Sequence, residues 1–541
     1  MNRKQRRAKQ KTTQRRQGKA KSAGPARFAA GQPMPMPEAR RLLEGARAAV
    51  AAEKYFEAYQ AYRRLFDSQY ANPALLVEAT VPLIRSDALS EAEAFSELGT
   101  QRFADSAIAW NQLGQAKLNV GRPEAALAAY QRALELDDTL AQAWAGISQV
   151  QERLHRLDDA LVSIDRAIEV TPGKVFLSYC RGIVLRRLGR LDEALAQQRA
   201  VLDDTDDAKT QHLAWCEIAS IYQRQDDPAA ARDAYRAAKE VQAPLRSAHL
   251  AKFADFQRNA EARFVGFDAP TARAWYEQPL DPDSRGKGQQ AFLIGHPRSG
   301  TTLTEQVLAA HPNAVTLDER EAFVQVESTI LGLVPTVETL NAATIEQAQR
   351  FGQAYTKEAA RYLNEPVGGR LLVDKRPDSV LLLPTILRMM PRSRVVVVIR
   401  DPRDVCASCY EQSFQLGVIS AQFHSIESTC RYYAWFMSFW LRMREILPSA
   451  MWHEVRYEDL VENTESTARA LIDFVGLPWE DGVLAFTEKA AKRVVSTPSY
   501  AAVAKPITGS AVGRWRAYAD EFATQADTLA PYLEAFGYDE S

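Results

Sequence analysis

A glycine-framed segment, Gly295-His-Pro-Arg298-Ser299-Gly300-Thr301-Thr302, lies between the apolar run Ala291–Ile294 and a helix-length stretch. This is the glycine spacing of a loop that cradles a phosphate. Glycine tolerates positive φ and lets backbone amides approach a ligand closely, and the helix start beyond it turns free N–H groups and its dipole toward an anion. An ATPase loop would continue with lysine, which reaches the β- and γ-phosphates. Here Thr301 stands in that position and Arg298 lies inside the loop instead. A guanidinium grips phosphate or sulfate through two parallel hydrogen bonds. The expected ligand is therefore a nucleotide without a γ-phosphate and without obligatory magnesium. A tight strand–helix turn with an incidental arginine, or a decayed NTPase loop, are the plainer alternatives.

A second cation follows the run Val395–Ile399. Arg400 would emerge at the carboxyl end of a buried strand, where open α/β sheets bind ligands, and Ser408 falls in the helix beyond it. Together, the loop Pro-Arg-Ser-Gly-Thr-Thr and the Arg400…Ser408 pair resemble the two phosphate-binding motifs of sulfotransferases that use PAPS (3′-phosphoadenylyl sulfate). That resemblance implies PAPS as co-substrate and no metal. Ser299, Gly300, Thr301 and Thr302, with Arg298, would hold the 5′-phosphosulfate, and Arg400 and Ser408 the 3′-phosphate.

Across roughly 290–537 the chain is similar in particular to the protein-tyrosine sulfotransferases. Counting from the loop, Glu319 in Leu317-Asp-Glu-Arg-Glu321 falls where that family has its catalytic base. The family's arginine two positions further on is replaced by Glu321. Asp374-Lys375-Arg376-Pro377 resembles the family's Asn-Lys-Asp-Pro, which makes Lys375 the cation near the bridging oxygen. Tyr457 would contact the nucleotide, and Ser499 and Lys505 resemble a late Ser…Lys-Pro segment near the 3′-phosphate. By the same resemblance Glu319 would take the acceptor's proton, and Lys375 would stabilise charge on the leaving bisphosphate nucleotide. The implied acceptor is a hydroxyl, such as a peptidyl tyrosine, on a protein, glycan or small compound.

These residues need a scaffold. Four short apolar runs, Ala291–Gly295, Leu371–Val373, Arg394–Arg400 and Met451–Val455, alternate with helix-length segments. Fully apolar strands between helices predict an α/β domain with a parallel sheet covered on both faces. Upstream, Trp110, Gly114, Ala126, Tyr130 and Ala133 find counterparts 34 residues on at Trp144, Ser148, Ala160, Ile164 and Ala167. A further copy includes Trp215, Ala219, Ala231, Tyr235 and Ala238. Small residues let paired helices close up while large ones fill the gaps between them. The spacing resembles the tetratricopeptide repeat (TPR), which implies stacked helix pairs and a groove for a peptide or protein partner. The expected organisation is a basic leader over 1–37, TPR helical repeats over 38–262, a connector over 263–288 and the sulfotransferase-like domain over 289–541.

Composition narrows the function classes. The chain has 541 residues, 46% apolar and 25% charged, as a globular protein does. A net charge of −1 conceals eleven Lys/Arg and no carboxylate in residues 1–37, so the remainder carries −12. The leader is expected to be solvated, and nucleic acid is not an expected partner. No apolar run is long enough for a membrane helix, the first residues lack a secretion signal's apolar core, and five cysteines suggest a reducing compartment, so a cytoplasmic protein is expected. The seven histidines contain no His-x-x-x-His, and Cys406-Ala-Ser-Cys409 has no second pair to complete a zinc site. The rival functions are a non-catalytic TPR adaptor with a nucleotide-binding domain and a P-loop kinase or NTPase.

Overall fold

The computed structural model describes residues 33–52, 54–86, 88–277, 290–363, 365–487 and 509–539, and the statements below concern these. The chain forms two compact units that divide between Val150 and Gln151. The division falls inside the repeats, and the last repeat helices share one apolar core with the α/β domain.

The repeats are six successive helix pairs, from Met36–Ala51 with Tyr55–Phe66 to Ala208–Arg224 with Pro228–Gln242. Small-against-large packing holds them together. Within the first unit, a Cβ at Gly114 would meet the Tyr130 ring at 2.7 Å and one at Gly146 would meet it at 2.4 Å. Ala126, Ala133, Ala160, Ala167, Ala194 and Ala238 are all fully buried. In the last pair, Asp207 and Asp227 cap their helices by accepting the Thr210 and Ala230 amides, each at 2.9 Å. The expected connector over 263–288 is only partly a connector, because Ala269–Glu277 is a helix. Pro270 sits in its first turn, where a missing N–H costs nothing, and Ala272 and Trp275 are buried.

The α/β domain holds a five-stranded sheet: β1 (Gln290–Gly295), β2 (Ala314–Asp318), β3 (Leu371–Lys375), β4 (Arg394–Ile399) and β5 (Trp452–Arg456). The order is β2-β3-β1-β4-β5, and every pairing is parallel. Alternate residues feed two cores. Phe292, Ile294, Val395 and Val397 face one, and Ala291, Leu293, Val396 and Val398 face the other. The helix after β1, Thr301–Ala309, packs into the second core through Leu303, Val307 and Leu308. The helix after β4, Pro402–Glu411, packs into the first through Val405, Cys406 and Cys409. Two neighbouring strands therefore send their helices to opposite faces, which opens a crevice at their carboxyl ends.

Candidate active site

The crevice is lined by the anion loop. Gly295 (φ 152°) and Gly300 (φ 107°) frame it. A Cβ at Gly295 would lie 2.7 Å from the Val398 carbonyl oxygen, and one at Gly300 would lie 2.5 Å from the Tyr457 ring, so neither position admits another residue without displacement. Between them Arg298 adopts a left-handed φ of 71°, a conformation that costs a non-glycine residue about 1 kcal/mol. Its Nε donates to Ser408 Oγ at 3.0 Å, and its carbonyl accepts from Arg400 Nη1 at 3.1 Å. The two arginines predicted to bind opposite ends of one nucleotide are thus in direct contact. Arg400 also lies 4.8 Å from the centre of the Tyr457 ring.

Charge in this corner is mostly positive. Burial pulls Arg298 below the usual guanidinium value, and the nearby Arg400 and Arg514 add to that. Asp404, 3.8 Å from Arg400, is occupied elsewhere: it accepts the Gly513 and Trp515 amides at 2.7 and 2.9 Å. Arg400 in turn reaches the Ala511 carbonyl. The segment 509–539 thereby clamps the start of Pro402–Glu411. Ser299 Oγ and Arg400 Nε are buried without a hydrogen-bond partner, as donors awaiting an anion would be.

Beside the loop, β3 ends in Lys375, paired in register with Leu293 of β1. Its ammonium is fully buried among three carboxylates: Asp318 Oδ1 at 2.5 Å, Glu319 Oε1 at 2.7 Å and Glu305 Oε2 at 3.7 Å. Burial alone would lower its pKa, but Glu305, Glu319 and Asp318 outweigh burial and raise it. Glu305, on the buried side of Thr301–Ala309, is pushed up to about 7 by burial, against the pull of Lys375. Glu319 is different. Its side chain is 49% exposed, its φ is 54°, and its amide donates to the Lys375 carbonyl at 2.8 Å. It is a solvent-reachable carboxylate held on a buried cation. Next in the chain, Arg376 pairs with Asp378 at 2.7 Å and is also attracted by Glu321.

Among the sequence-predicted residues, Arg298, Ser299, Gly300, Thr301, Thr302, Arg400, Ser408 and Tyr457 belong to the loop and its immediate surroundings, and Glu319 and Lys375 meet at the adjoining strand end. Ser499 and Lys505 lie outside the described residues. Sequence reasoning missed Glu305 and Asp404, and it weighed Asp318 only as an alternative base, not as a partner of Lys375. An acidic residue on the apolar face of the loop helix was the available signal for Glu305. No group of three His, Cys, Asp or Glu positioned to hold a metal occurs among the described residues.

Comparison with known proteins agrees with this architecture. Residues 290–481 match the model of the Sulfotransferase family. Residues 107–140 and 212–244 match models of the Tetratricopeptide repeat. An uncharacterised protein of Aquifex aeolicus is 31% identical over 247 residues, 43% of this chain but only 32% of that protein. Protein-tyrosine sulfotransferase 1 of Danio rerio is 26% identical over 265 residues, 46% of this chain and 72% of its own length. Among solved structures, the sulfotransferase domain of the Synechococcus PCC 7002 olefin synthase is 23% identical, with 48% of this chain and 99% of that one covered at a TM-score of 0.35. The chain therefore joins tetratricopeptide repeats to a sulfotransferase-family domain, and that domain is similar to protein-tyrosine sulfotransferases.

Proposed function

We propose that the protein is a PAPS-dependent sulfotransferase that moves a sulfuryl group to an acceptor hydroxyl, with its repeats engaged in protein interaction. The observation that carries this reading is the contact between Arg298 and Arg400 beside two orphaned buried donors, Ser299 Oγ and Arg400 Nε. Such a corner fits a donor with anionic groups at both ends. Arg298, Ser299 and the amides of Gly300, Thr301 and Thr302 would hold the 5′-phosphosulfate, and Arg400 and Ser408 the 3′-phosphate. Tyr457, packed on Arg400, would border the nucleotide, with Ser499 and Lys505 completing the 3′-phosphate site. PAPS supplies the sulfuryl group.

The rest falls to two side chains. Glu319 accepts the acceptor's proton on its exposed carboxylate, and Lys375 presents fixed positive charge where the leaving oxygen gains its negative charge. Catalysis by such a site consists of positioning and charge stabilisation. The acceptor is a hydroxyl on a protein, glycan or small compound. Peptidyl tyrosine is one candidate, from the likeness to protein-tyrosine sulfotransferases. The Glu321 and Arg376 charges, opposite to the family pattern at both positions, argue for an acceptor of different charge.

A cytoplasmic site of action is consistent with five free cysteines, including the adjacent pair Cys406 and Cys430, and no helix among the described residues is long and apolar enough to cross a membrane. The test is to incubate the full chain with labelled PAPS and a cell lysate, measuring 3′,5′-bisphosphate release and the labelled fraction. Release well above background is expected. No release would favour the adaptor reading, and tighter binding of ATP·Mg²⁺ than of the bisphosphate nucleotide would favour a kinase or NTPase.

A further inference from the structure

The groups that this site leaves unused gather behind the anion loop, where the last repeat pair meets Pro402–Glu411. Lys239, in the helix Pro228–Gln242, is only 5% exposed. Its ammonium lies 5.4 Å from the centre of the Tyr410 ring, and the charged or ionisable groups acting on it are Cys216, Cys409 and Arg246. It forms no ion pair with a carboxylate among the described residues. A buried ammonium without a counter-charge is costly, and this one lacks the partner that buried lysines normally have. Burial pulls it down to about 8, and it remains mostly protonated at neutral pH.

The surroundings are equally one-sided. The Arg246 guanidinium donates to the Ala421 carbonyl at 3.1 Å. His424 feels both Arg246 and Lys239, which with burial hold its ring neutral. His424 Nδ1 and Gln422 Nε2 are buried with no hydrogen-bond partner. The cluster also adjoins the loop: the Cys409 thiol donates to the Pro297 carbonyl at 3.4 Å, next to Arg298. Phe423 packs on Tyr432 at 5.5 Å, and Tyr432 on His296 at 5.5 Å. Two cations and two orphaned polar groups without a carboxylate are complementary to an anion.

We propose that Lys239 and Arg246, with His424 and Gln422, bind an anionic ligand bearing a carboxylate or an oxoanion. The last repeat pair and the turn after it thus supply an anion site next to the loop. This inference does not depend on the sulfotransferase reading, and the anion site can be tested without any transfer.

The full chain is first saturated with the 3′,5′-bisphosphate nucleotide, which fills the donor loop. It is then titrated calorimetrically with sodium sulfate (the oxoanion arm) and sodium acetate (the carboxylate arm), with sodium chloride at matched ionic strength as reference. Saturable binding of one of the two anions is expected, weakened at least tenfold in Lys239→Met and Arg246→Gln, with bisphosphate affinity unchanged in both. Without added anion, Lys239→Met should raise the melting temperature, since it removes an uncompensated buried charge. No saturable binding in either arm, equal binding by Lys239→Met, or a lower melting temperature of that variant would overturn the proposal. Failure of the unmodified chain to bind the bisphosphate nucleotide would instead count against the donor reading, whatever the anion arms show.

Discussion

The anion loop, the proposed donor site, and the Lys375 mouth, the proposed acceptor site, lie on adjacent strand ends of one sheet, yet they are built on different terms. Around the loop there is no room for a side chain at either glycine, since a Cβ at Gly295 would lie 2.7 Å from the Val398 carbonyl oxygen and one at Gly300 2.5 Å from the Tyr457 ring. Arg400 and Asp404 are buried, and a separate segment clamps them. At the mouth Lys375 and Glu305 are deeply buried. Glu319 and Glu321 are exposed, and Arg376 is shared between Asp378 and Glu321. Rigidity is concentrated where a common nucleotide would sit. On the proposed function, the exposed charges at the mouth would contribute to the choice of acceptor, and they can change without unsettling the core.

Substitutions can break or sharpen this contrast. The largest effect is expected for Glu319→Gln: turnover should fall by about 10²–10⁴-fold, the usual worth of a positioned base, while bisphosphate affinity measured by calorimetry stays unchanged. Near-normal turnover would move the base to Asp318 or Glu321. Next comes Lys375→Met, which leaves three carboxylates without their cation and should cost about 3–5 kcal/mol in urea denaturation. Adding Glu305→Gln should recover part of that stability but none of the activity. If stability is unaffected, the mouth has no buried anchor and the contrast fails.

On the donor side, His296 is enclosed by Tyr432, Tyr433, Phe436 and Phe423, and burial holds its pKa down at about 4 from an ordinary 6.5. The unfolded chain takes up that proton first as pH drops. The contribution is therefore fully present above pH 6.5 and is lost as pH falls toward 4, by on the order of 3 kcal/mol. Asp374, raised to about 6 by burial despite the Tyr355 hydroxyl bond, contributes the opposite slope over part of that window. The check is therefore the stability difference between the parent chain and His296→Phe across pH 4–6.5. A difference independent of pH would rule out this account of His296. The smallest effect is expected for Arg298→Lys, which keeps the charge and loses the two-pronged grip. Bisphosphate affinity should fall about tenfold, about 1.4 kcal/mol.

Features encoded within a short stretch were legible in the sequence. The glycines of the loop and the small and large positions of the repeats each specify contacts within a turn or a helix pair, as Gly114 and Gly146 against Tyr130 show. Four of the five strands were visible as apolar runs. β2 was not: its five residues include Thr316 and Asp318, and it lies at the sheet edge, where one side needs no partner strand. The surroundings of Lys375 were hidden for another reason. Its carboxylates come from the loop helix and from the end of β2, and only strand order brings them to the end of β3. The same holds for the Arg298–Ser408 contact, which joins what the motifs present as separate ends of a nucleotide.

The clamp by residues 509–539 also sets an order of assembly. Synthesis runs from the amino end, and β5 is complete at Arg456, so the sheet can close while this segment is still inside the ribosome. Arg400 gains the Ala511 carbonyl, Asp404 the Gly513 and Trp515 amides, and Arg403 the Asp539 carbonyl only after it emerges. A nascent chain stalled before residue 509 would thus hold a finished sheet and an anion loop missing its lock.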